Sequence, residues 1–376
     1  MTGSTWGAAL RLTTFGESHG AAVGGVLDGC PAGLALDAAL IQAELDKRRP
    51  GAAQAGAAGT TRRETDTVRL LSGVFAGLTT GTPIAFVIAN EHQRSADYDA
   101  LATVFRPGHA DWGYHCKYGL RDYRGGGRAS GRETAARVAG GAIAAALLAR
   151  HGVCVRAAAV ELAGIAADRA SLTFAGNFTE AASRLFFAAD AALVPQWEAA
   201  LTTARSTGDS VGGVVEVRAQ GVPAGLGEPV FHKLDATLAA AMMSVGAVKG
   251  VEIGDGFAAA RSTGSRNNDA LVPDPAAPRG VRFASNHAGG IVGGISSGQE
   301  IVIRVAVKPI PSIAHEQDTV DTHGAATRIR VGGRHDACAI PRIVPVLQAM
   351  AALTLADALL QQQRLAPLPH PPGATR

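Results

Sequence analysis

The chain has few cysteines and few charges, and both shortages narrow what it can be. Its 376 residues contain four cysteines, widely spaced and without a C-x-x-C pair, which fits neither a disulfide framework nor a zinc cage. We therefore expect a reducing compartment. Charged residues make up 18% of the chain and the formal net charge is +3, which excludes binding of nucleic acid by bulk attraction. Any anion must be held by local arginine clusters.

Long apolar runs are also missing. The longest, "VAGGAIAAALLA" between Arg137 and Arg150, is too short for a membrane helix of about 20 residues and predicts a buried helix. The N-terminal "MTGSTWGAALRL" has no basic segment followed by an apolar run, so no secretory signal is predicted. We expect a cytoplasmic protein without a membrane segment.

Glycine, in contrast, is abundant, with 47 residues, and favours a ligand site built from loops. The residues predict a helix capped by Asp37, further helices over 131–150, 179–204, 235–245 and 342–363, and strands in "TPIAFVIAN", "VGGVVEVRAQG" and "EIVIRVAVKPI". The Gly/Ala-rich segment 51–61 predicts a flexible loop. Strands and helices mix without a βαβ period, which favours an α+β fold with sandwich-like packing rather than a doubly wound sheet.

The stretch "GLRDYRGGGRASGRETAARVAGG" is the richest in chemistry. Three glycines precede Ser130, which with Glu133 forms the S-x-x-E pattern of a capping box at a helix start. Free backbone N–H groups would then lie beside Arg124, Arg128 and Arg132, which predicts an anion site. The alternative is an ordinary glycine turn with solvated arginines, and neither G-x-G-x-x-G nor the Walker pattern is present.

Histidines in three loops offer proton-transfer groups. His19 lies in "FGESHG", His109 in "FRPGHAD", and His335 precedes Asp336 in "GGRHDAC". The spacing of His109 and His115 around Asp111 matches no zinc pattern, so we interpret the histidines as acid–base groups or as packed, capping residues. The Asp336 carboxylate could equally form a surface ion pair with Arg334. A second glycine-rich loop, "SNHAGGIVGGISSGQE", suits either a flat ligand or a β-turn.

Several long motifs in the chain resemble those of one known protein family. In order, from near the start to the last predicted helix, it resembles chorismate synthases in "TTFGESHG", "QRSADY", "VFRPGHAD", "KYGLRDYRGGGR", "GVPAGLGEPVF", "AVKGVEIGDGF", "SNHAGGIVGGISSGQ" and "GRHDACAIPRIVPVLQAM". The resemblance implies one catalytic domain over 1–363, with an α+β fold: a β-α-β sandwich of antiparallel sheets and packed helices, assembled as a homotetramer. The Pro-rich end, 364–376, is expected to be disordered.

The resemblance also implies an activity. It is an anti-1,4-elimination that takes 5-enolpyruvylshikimate 3-phosphate to chorismate and phosphate, the last step of the shikimate pathway. Reduced FMN is required without net redox change, and NADPH enters only indirectly, where a reductase activity or partner supplies reduced flavin. Nothing in the chain resembles a separate reductase domain, so we expect a monofunctional enzyme that uses no metal and binds neither nucleic acid nor membrane.

Site residues are implied by the same motifs. His19 is expected to protonate the departing phosphate, His109 to serve the reduced flavin near N1, and Asp336 to assist proton removal at C6 through flavin N5, with Ser18 and Ser130 as relays. The expected substrate contacts are Arg48, Arg49, Arg132 and Arg342. The expected FMN contacts are Arg128, Ala129, Ser130, Gly246, Ala247, Gly293, Lys308, Pro309, Ile310, Pro311, Ser312 and Arg334, with Lys308 or Arg334 placing positive charge by the flavin.

Several positions depart from the family pattern. Gly246, Ala129 and Ala337 replace residues that are common there, so contacts at the first two would be made by backbone alone. Gln54 and alanines stand where the family has an arginine, and that loop is expected to order with substrate.

Two other functions stay open. One is a flavin-independent lyase or phosphatase acting on another phosphorylated ring acid. The other is a non-catalytic sensor of flavin or phosphometabolite, although a sensor has no need for three proton-transfer groups.

Overall fold

Strands account for two large sheets and four hairpins in this computed structural model, which describes residues 3–59, 64–91, 101–277, 280–331 and 335–365. In chain order they are β1 (Thr5–Trp6), β2 (Arg11–Gly16), β3 (Ala22–Asp28), β4 (Val68–Leu70), β5 (Val74–Phe75), β6 (Leu78–Thr79), β7 (Ile84–Ala89), β8 (Cys154–Leu162), β9 (Ile165–Ala166), β10 (Gly213–Gln220), β11 (Val248–Ile253), β12 (Leu271–Pro273), β13 (Val281–Phe283), β14 (Ile291–Val292), β15 (Ile295–Ser296), β16 (Ile301–Val307), β17 (Glu316–Val320) and β18 (Ala326–Arg330).

Both large sheets are antiparallel. The first has the strand order β1-β2-β3-β7-β4 and the second has the order β11-β16-β10-β8-β9, and every pairing within them runs antiparallel. The α+β class with antiparallel sheets is confirmed, and a doubly wound sheet is excluded, because that arrangement needs parallel strands joined by helical crossovers.

The α-helices are α1 (Ala38–Arg48), α2 (Asp111–Tyr118), α3 (Thr134–Ala149), α4 (Thr179–Ala181), α5 (Val194–Thr207), α6 (Leu234–Met243), α7 (Gly264–Asn267) and α8 (Ile340–Arg364). Local signals set several boundaries. The Asp37 carboxylate accepts the backbone N–H of Leu40 and so caps α1 as predicted. Helices at the positions of α3, α6 and α8 also agree with the sequence.

The predicted helix over 179–204 is wrong in its first half. Only the single turn α4 and short 3₁₀ turns form before α5 begins at Val194. Phe186 and Phe187 adopt φ values of 59° and 55°, which a right-handed helix does not allow. Both rings are buried in the core, so tertiary packing overrides the alanine-rich local preference.

The Gly/Ala-rich segment after Pro50 is ordered over its described part, contrary to the prediction of a flexible loop. Residues Ala53–Ala58 form a 3₁₀ helix in which Ala55 and Ala58 are buried. Gly56 has φ 45°, and a Cβ there would lie 3.2 Å from the Phe186 ring. Residues 60–63 lie outside the described part of the chain, as does most of the expected Pro-rich tail, 366–376.

The helices lie between the two sheets. Helix α3 contacts strands β2, β3 and β7 on one side and α8 on the other, and α8 contacts β8 and β10 of the second sheet. Apolar side chains from both sheets and these helices form one continuous core that extends from Ala9 to Leu360. The layer order agrees with a β-α-β sandwich.

Helix α8 also anchors the N-terminal segment. The buried Asp357 carboxylate accepts the backbone N–H groups of Ala8, Ala9 and Leu10, the last at 2.8 Å. These bonds fix the chain just before β2 begins. Strand β2 leads directly into the turn that carries His19, so the central helix helps to place that turn.

Among the residues that the structure describes, one helix, α8, is long and apolar enough by composition to cross a membrane. Of its most apolar window, 83% is buried inside the protein, where it packs between the sheets. A core helix of this kind passes the same test of length and hydropathy.

Close packing of α3 on α8 gives a test of the fold. A Cβ on Gly141 would lie 2.3 Å from Ala349 Cβ, so Gly141→Ala should force the helices apart and lower the free energy of unfolding by about 1–3 kcal/mol. The matched control is Gly113→Ala in α2, where a Cβ meets nothing within 4 Å; it should be neutral or stabilising by up to about 1 kcal/mol. Urea unfolding measures both, and equal effects would contradict this packing.

Candidate active site

His19 lies in a turn at the end of the first sheet. Strand β2 ends at Gly16 and β3 begins at Ala22, and the Gly20 N–H donates to the Glu17 carbonyl at 3.1 Å to close the turn between them. The turn is held from outside by Asn90, whose side-chain amide donates to the carbonyls of Glu17 and Gly20 at 2.9 and 2.8 Å. Three strands therefore set the position of His19.

The glycine-rich loop packs directly against this turn. Gly125 has φ +105°, and a Cβ there would lie 2.8 Å from His19 Cδ2 and 2.9 Å from Ser18 Oγ. Only glycine permits this approach. The Ser18 hydroxyl oxygen is buried and has no hydrogen-bond partner among the described residues. A buried, unsatisfied hydroxyl beside a histidine is typical of a site that receives a polar ligand.

The predicted capping box at the start of α3 is half right. Ser130 Oγ accepts the Arg132 backbone N–H at 3.3 Å, and a 3₁₀ turn over Gly131–Glu133 leads into the helix. Glu133 does not reach back to Ser130. Its carboxylate accepts the Thr14 hydroxyl at 2.9 Å and pairs with Arg137, so it ties α3 to strand β2 instead.

Two of the predicted substrate arginines share one buried carboxylate. Asp66 is fully buried and its Oδ2 lies 2.7 Å from Arg48 Nη1, while its Oδ1 pairs with Arg132 Nη1. Asp66 adopts φ 47°, a strained value for a non-glycine residue that the two ion pairs hold in place. Burial lowers the pKa of Arg48 to about 10, with Asp66 opposing the shift and nearby Arg342 and Arg132 adding to it.

Arg342 joins the same cluster from helix α8. Its Nη1 donates to Asp336 Oδ2 at 2.7 Å. Burial alone would lower the pKa of Arg342, but the Asp336 carboxylate raises it on balance, and Asp66 and Glu64 contribute in the same direction. The structure thus brings together four residues that lie far apart in the sequence: Arg48, Arg132, Asp336 and Arg342.

Two other predicted arginines point elsewhere. Arg49 pairs with Asp46 at 3.4 Å on the outside of α1, where its side chain is 39% exposed. Arg128 donates to the Gly16 carbonyl at 3.0 Å and to the Thr14 hydroxyl at 2.6 Å. It therefore fastens the glycine-rich loop to strand β2 next to the His19 turn.

His109 lies on the adjoining loop with both ring nitrogens engaged. Its Nδ1 is 3.0 Å from the Pro107 carbonyl oxygen and its Nε2 is 3.0 Å from Ser312 Oγ. A carbonyl only accepts, so Nδ1 carries the proton, and in the neutral ring Nε2 accepts the serine hydroxyl. Burial and the Arg106 cation hold the pKa of His109 below its ordinary value, with Lys308 contributing, although the Pro107 carbonyl and Asp111 oppose the shift.

Arg106 connects the two histidine loops. Its guanidinium pairs with the buried Asp111 at 2.8 Å and donates to the Gly125 carbonyl at 3.0 Å. Gly125 in turn packs on His19, so Arg106 links the loop of His109 to the turn of His19. A second arginine, Arg121, pairs with Asp111 at 2.9 Å.

The predicted flavin segment after β16 lies beside His109. Lys308 Nζ donates to the Gly108 carbonyl at 2.9 Å, and the Lys308 backbone N–H donates to the Ala247 carbonyl at 2.9 Å. Ala247 has φ 73°, in the left-handed region. Residues 308–312 and 246–247 therefore meet around one loop, with Pro311 against Gly108.

The remaining predicted flavin residues are less closely connected. Ala129 lies in a 3₁₀ turn over Gly127–Ala129. Gly293 is exposed at the tip of the β14–β15 hairpin, where a Cβ would meet nothing within 4 Å. Arg334 lies outside the described residues.

One further histidine, His115, lies among aromatic side chains. His115 packs its ring 5.3 Å from that of Phe105, as a structural residue does. Within the described ranges, no group of three or more His, Cys, Asp and Glu side chains could hold a metal ion.

Three residues of the site were not predicted from the sequence: Asp66, Asn90 and Arg106. Arg106 stands in the quoted motif "VFRPGHAD", and Asn90 is the last residue of the predicted strand "TPIAFVIAN". Their position beside a histidine and at a strand end was the available signal. Asp66 had none, because its importance comes from arginines 18 and 66 positions away.

Comparison with known proteins agrees with these motifs. The family model described as "Chorismate synthase" matches residues 10–360. The chorismate synthase of Nitratidesulfovibrio vulgaris (strain Miyazaki F) is 63% identical over 97% of this chain and 100% of its own length. The chorismate synthase of Desulfovibrio desulfuricans is 65% identical over 97% of this chain and 99% of its own length. A solved structure titled "Crystal Structure of Chorismate Synthase" matches with a TM-score of 0.75 and 33% identity, covering 95% of this chain and 93% of that one.

The lowered pKa of His109 predicts a pH dependence of stability. The unfolded chain binds the proton more readily than the folded chain, so the contribution of His109 is complete above its ordinary pKa of about 6.5 and is lost as pH falls toward the lowered value. Between pH 7.5 and 5.5, wild type should lose more unfolding free energy in urea than His109→Gln does. The exposed His151→Gln should keep the wild-type loss, and an unchanged loss in His109→Gln would contradict the interpretation.

Proposed function

The chain belongs to the chorismate synthase family and is a carbon–oxygen lyase of that type, and on this premise we propose its reaction and the roles of its residues. The reaction is the anti-1,4-elimination of phosphate from 5-enolpyruvylshikimate 3-phosphate to give chorismate, with reduced FMN required and no net redox change. One observation carries the proposal: Gly125 brings His19 and the arginine-bearing loop into contact. A proton donor and an anion site are thereby adjacent.

The arginine cluster suits a substrate with one phosphate and two carboxylates. Arg48 and Arg132 are nearly enclosed, with side chains 1% and 9% exposed, whereas that of Arg342 is 28% exposed. We therefore assign direct contact with a substrate anion to Arg342, and to the other two a fixed positive potential behind it. Arg49, on the outer side of α1, would reach the substrate only after leaving Asp46.

His19 is proposed as the general acid. Loss of phosphate leaves a charged oxygen on the leaving group, and an imidazolium within proton reach stabilises that charge. Ser18 lies against the same glycine and its buried hydroxyl has no partner among the described residues, so it can relay a proton or bind a phosphate oxygen. Ser130, on the facing loop, is proposed for a similar relay.

Asp336 is proposed to assist removal of the C6 proton. Its Oδ2 accepts from Arg342 at 2.7 Å, which orients the carboxylate and places it beside the residue that holds the substrate. Asp336 thus assists removal of the proton from C6, and His19 supplies a proton to the phosphate. The two roles require carboxylate and imidazole at different edges of one substrate.

Residues around His109 fit a flavin. The cation of Lys308, the hydroxyl of Ser312 and a neutral imidazole lie together, and the left-handed backbone at Ala247 lies beside Lys308. We propose that this group holds reduced FMN with residues 309–311, Gly246 and Gly293, and with Arg128, Ala129, Ser130 and Arg334. Bound reduced FMN supplies the electron-rich ring that assists cleavage of the carbon–oxygen bond.

The assembly and setting of the enzyme follow from the family. We propose a cytoplasmic homotetramer acting on a small-molecule substrate at the end of the shikimate pathway. It is proposed to be monofunctional, so that NADPH acts only through a separate source of reduced flavin.

Anaerobic phosphate release tests the function. With the enolpyruvyl substrate and reduced FMN, we expect phosphate and chorismate in equal amounts, and no product with oxidised FMN or without flavin. His19→Ala should lower turnover by about 10²-fold or more, as the loss of a positioned acid does. The exposed His151→Ala is the control and should retain wild-type turnover.

Two results would contradict the proposal. Phosphate release without flavin would instead indicate a flavin-independent lyase or phosphatase. Binding of flavin or substrate with no turnover by wild type would indicate a sensor.

A further inference from the structure

Asn90 is the residue at which the His19 turn meets the arginine cluster. It directly follows strand β7, and its backbone N–H and both polar atoms of its side chain are hydrogen-bonded. Its backbone N–H donates to the Ala21 carbonyl at 3.1 Å, its Nδ2 donates to Glu17 and Gly20 carbonyls at 2.9 and 2.8 Å, and its Oδ1 accepts from Arg132 Nε at 2.7 Å.

The chemistry of the partners fixes the orientation of this amide. Two carbonyl oxygens can only accept, and the guanidinium N–H of Arg132 can only donate. The NH₂ group must therefore face the turn and the oxygen must face the arginine, since a flip would break all three side-chain bonds. No other common side chain offers two donors and an acceptor at this length. The amide is thus a specific connector between two loops.

We propose that Asn90 is a positioning residue, which sets the distance between His19 and the Arg132–Asp66 pair without touching substrate. The inference rests on the function proposed above, because it gives His19 the role of acid and Arg132 the role of anion support. If the proton donor and the anion site must be in register for phosphate to leave, displacement of the turn by about 1 Å lowers turnover by about 10²-fold.

Two substitutions separate the two sides of the connector. Asn90→Asp keeps an acceptor for Arg132 but loses the donors to Glu17 and Gly20. We expect it to lower kcat by about 10- to 100-fold with KM for the substrate nearly unchanged. Asn90→Ala removes both sides, and we expect the same loss in kcat together with a raised KM.

Asn177 provides matched controls. It also holds a turn, because its Nδ2 donates to the Ala189 carbonyl at 3.0 Å and its Oδ1 accepts the Thr173 N–H at 2.9 Å. Asn177→Ala and Asn177→Asp remove equivalent bonds in another part of the fold. They should lower the thermal midpoint by an amount similar to the Asn90 variants while leaving kcat and KM at wild-type values.

A readout without substrate distinguishes failure of this inference from failure of the proposed reaction. In protein labelled at histidine Cε1, the His19 resonance, assigned by its loss in His19→Gln, should shift or broaden in Asn90→Ala. The His109 resonance should not move, and neither should change in Asn177→Ala. If the variants show this pattern of resonances but wild type has no turnover, the proposed function alone is refuted.

Other outcomes would overturn the positioning role. They are an unchanged His19 resonance in Asn90→Ala, wild-type kcat in Asn90→Asp, or a fall in kcat that merely equals the unfolded fraction measured for each variant. An equal loss of kcat in the Asn177 variants would likewise reduce Asn90 to a structural residue.

Discussion

The candidate site depends on the contact between the buried Asp66 carboxylate and two arginines. The carboxylate pairs with Arg48 from α1 and Arg132 from the glycine-rich loop, and is fully buried between them. Ion pairs taken out of water gain little net stability, but loss of one partner leaves an uncompensated charge inside the protein. Asp66 is therefore the buried counter-charge of both guanidinium groups, and its pKa is lowered because the Arg48 and Arg132 cations outweigh its burial.

From this contact the rest of the site is connected by short polar bridges. Arg132 bonds to Asn90, which holds the His19 turn, and Gly125 links that turn through Arg106 to the loop of His109. The strands and helices of the sandwich provide rigid ends for these loops. Such a network confines proton donors and cations to one region before any ligand binds, which is the property that acid–base and electrostatic catalysis require.

Much of the chemistry, but less of its geometry, could be predicted from the sequence. The histidines and arginines in glycine-rich motifs could be predicted as site residues from their residue types and their neighbours in the sequence. The roles of Asp66 and Asn90 were not predicted, because their partners are distant in the chain and meet them only in the folded protein. Strand direction does not follow from local patterns, and the antiparallel sheets were implied only by the resemblance. The alanine-rich stretch after 179 favoured a helix, and the burial of Phe186 and Phe187 at positive φ accounts for the interruption before Val194.

A double-mutant cycle between Asp66 and Arg48 tests the central role of the buried carboxylate most directly. Asp66→Asn, Arg48→Met and the double variant would be unfolded in urea beside the same cycle for the exposed pair Asp28 and Arg11, which lie 2.8 Å apart. A coupling of about 2–3 kcal/mol is expected for the buried pair and of at most about 1 kcal/mol for the exposed one. A buried coupling no larger than the exposed one would show that Asp66 does not hold the site together.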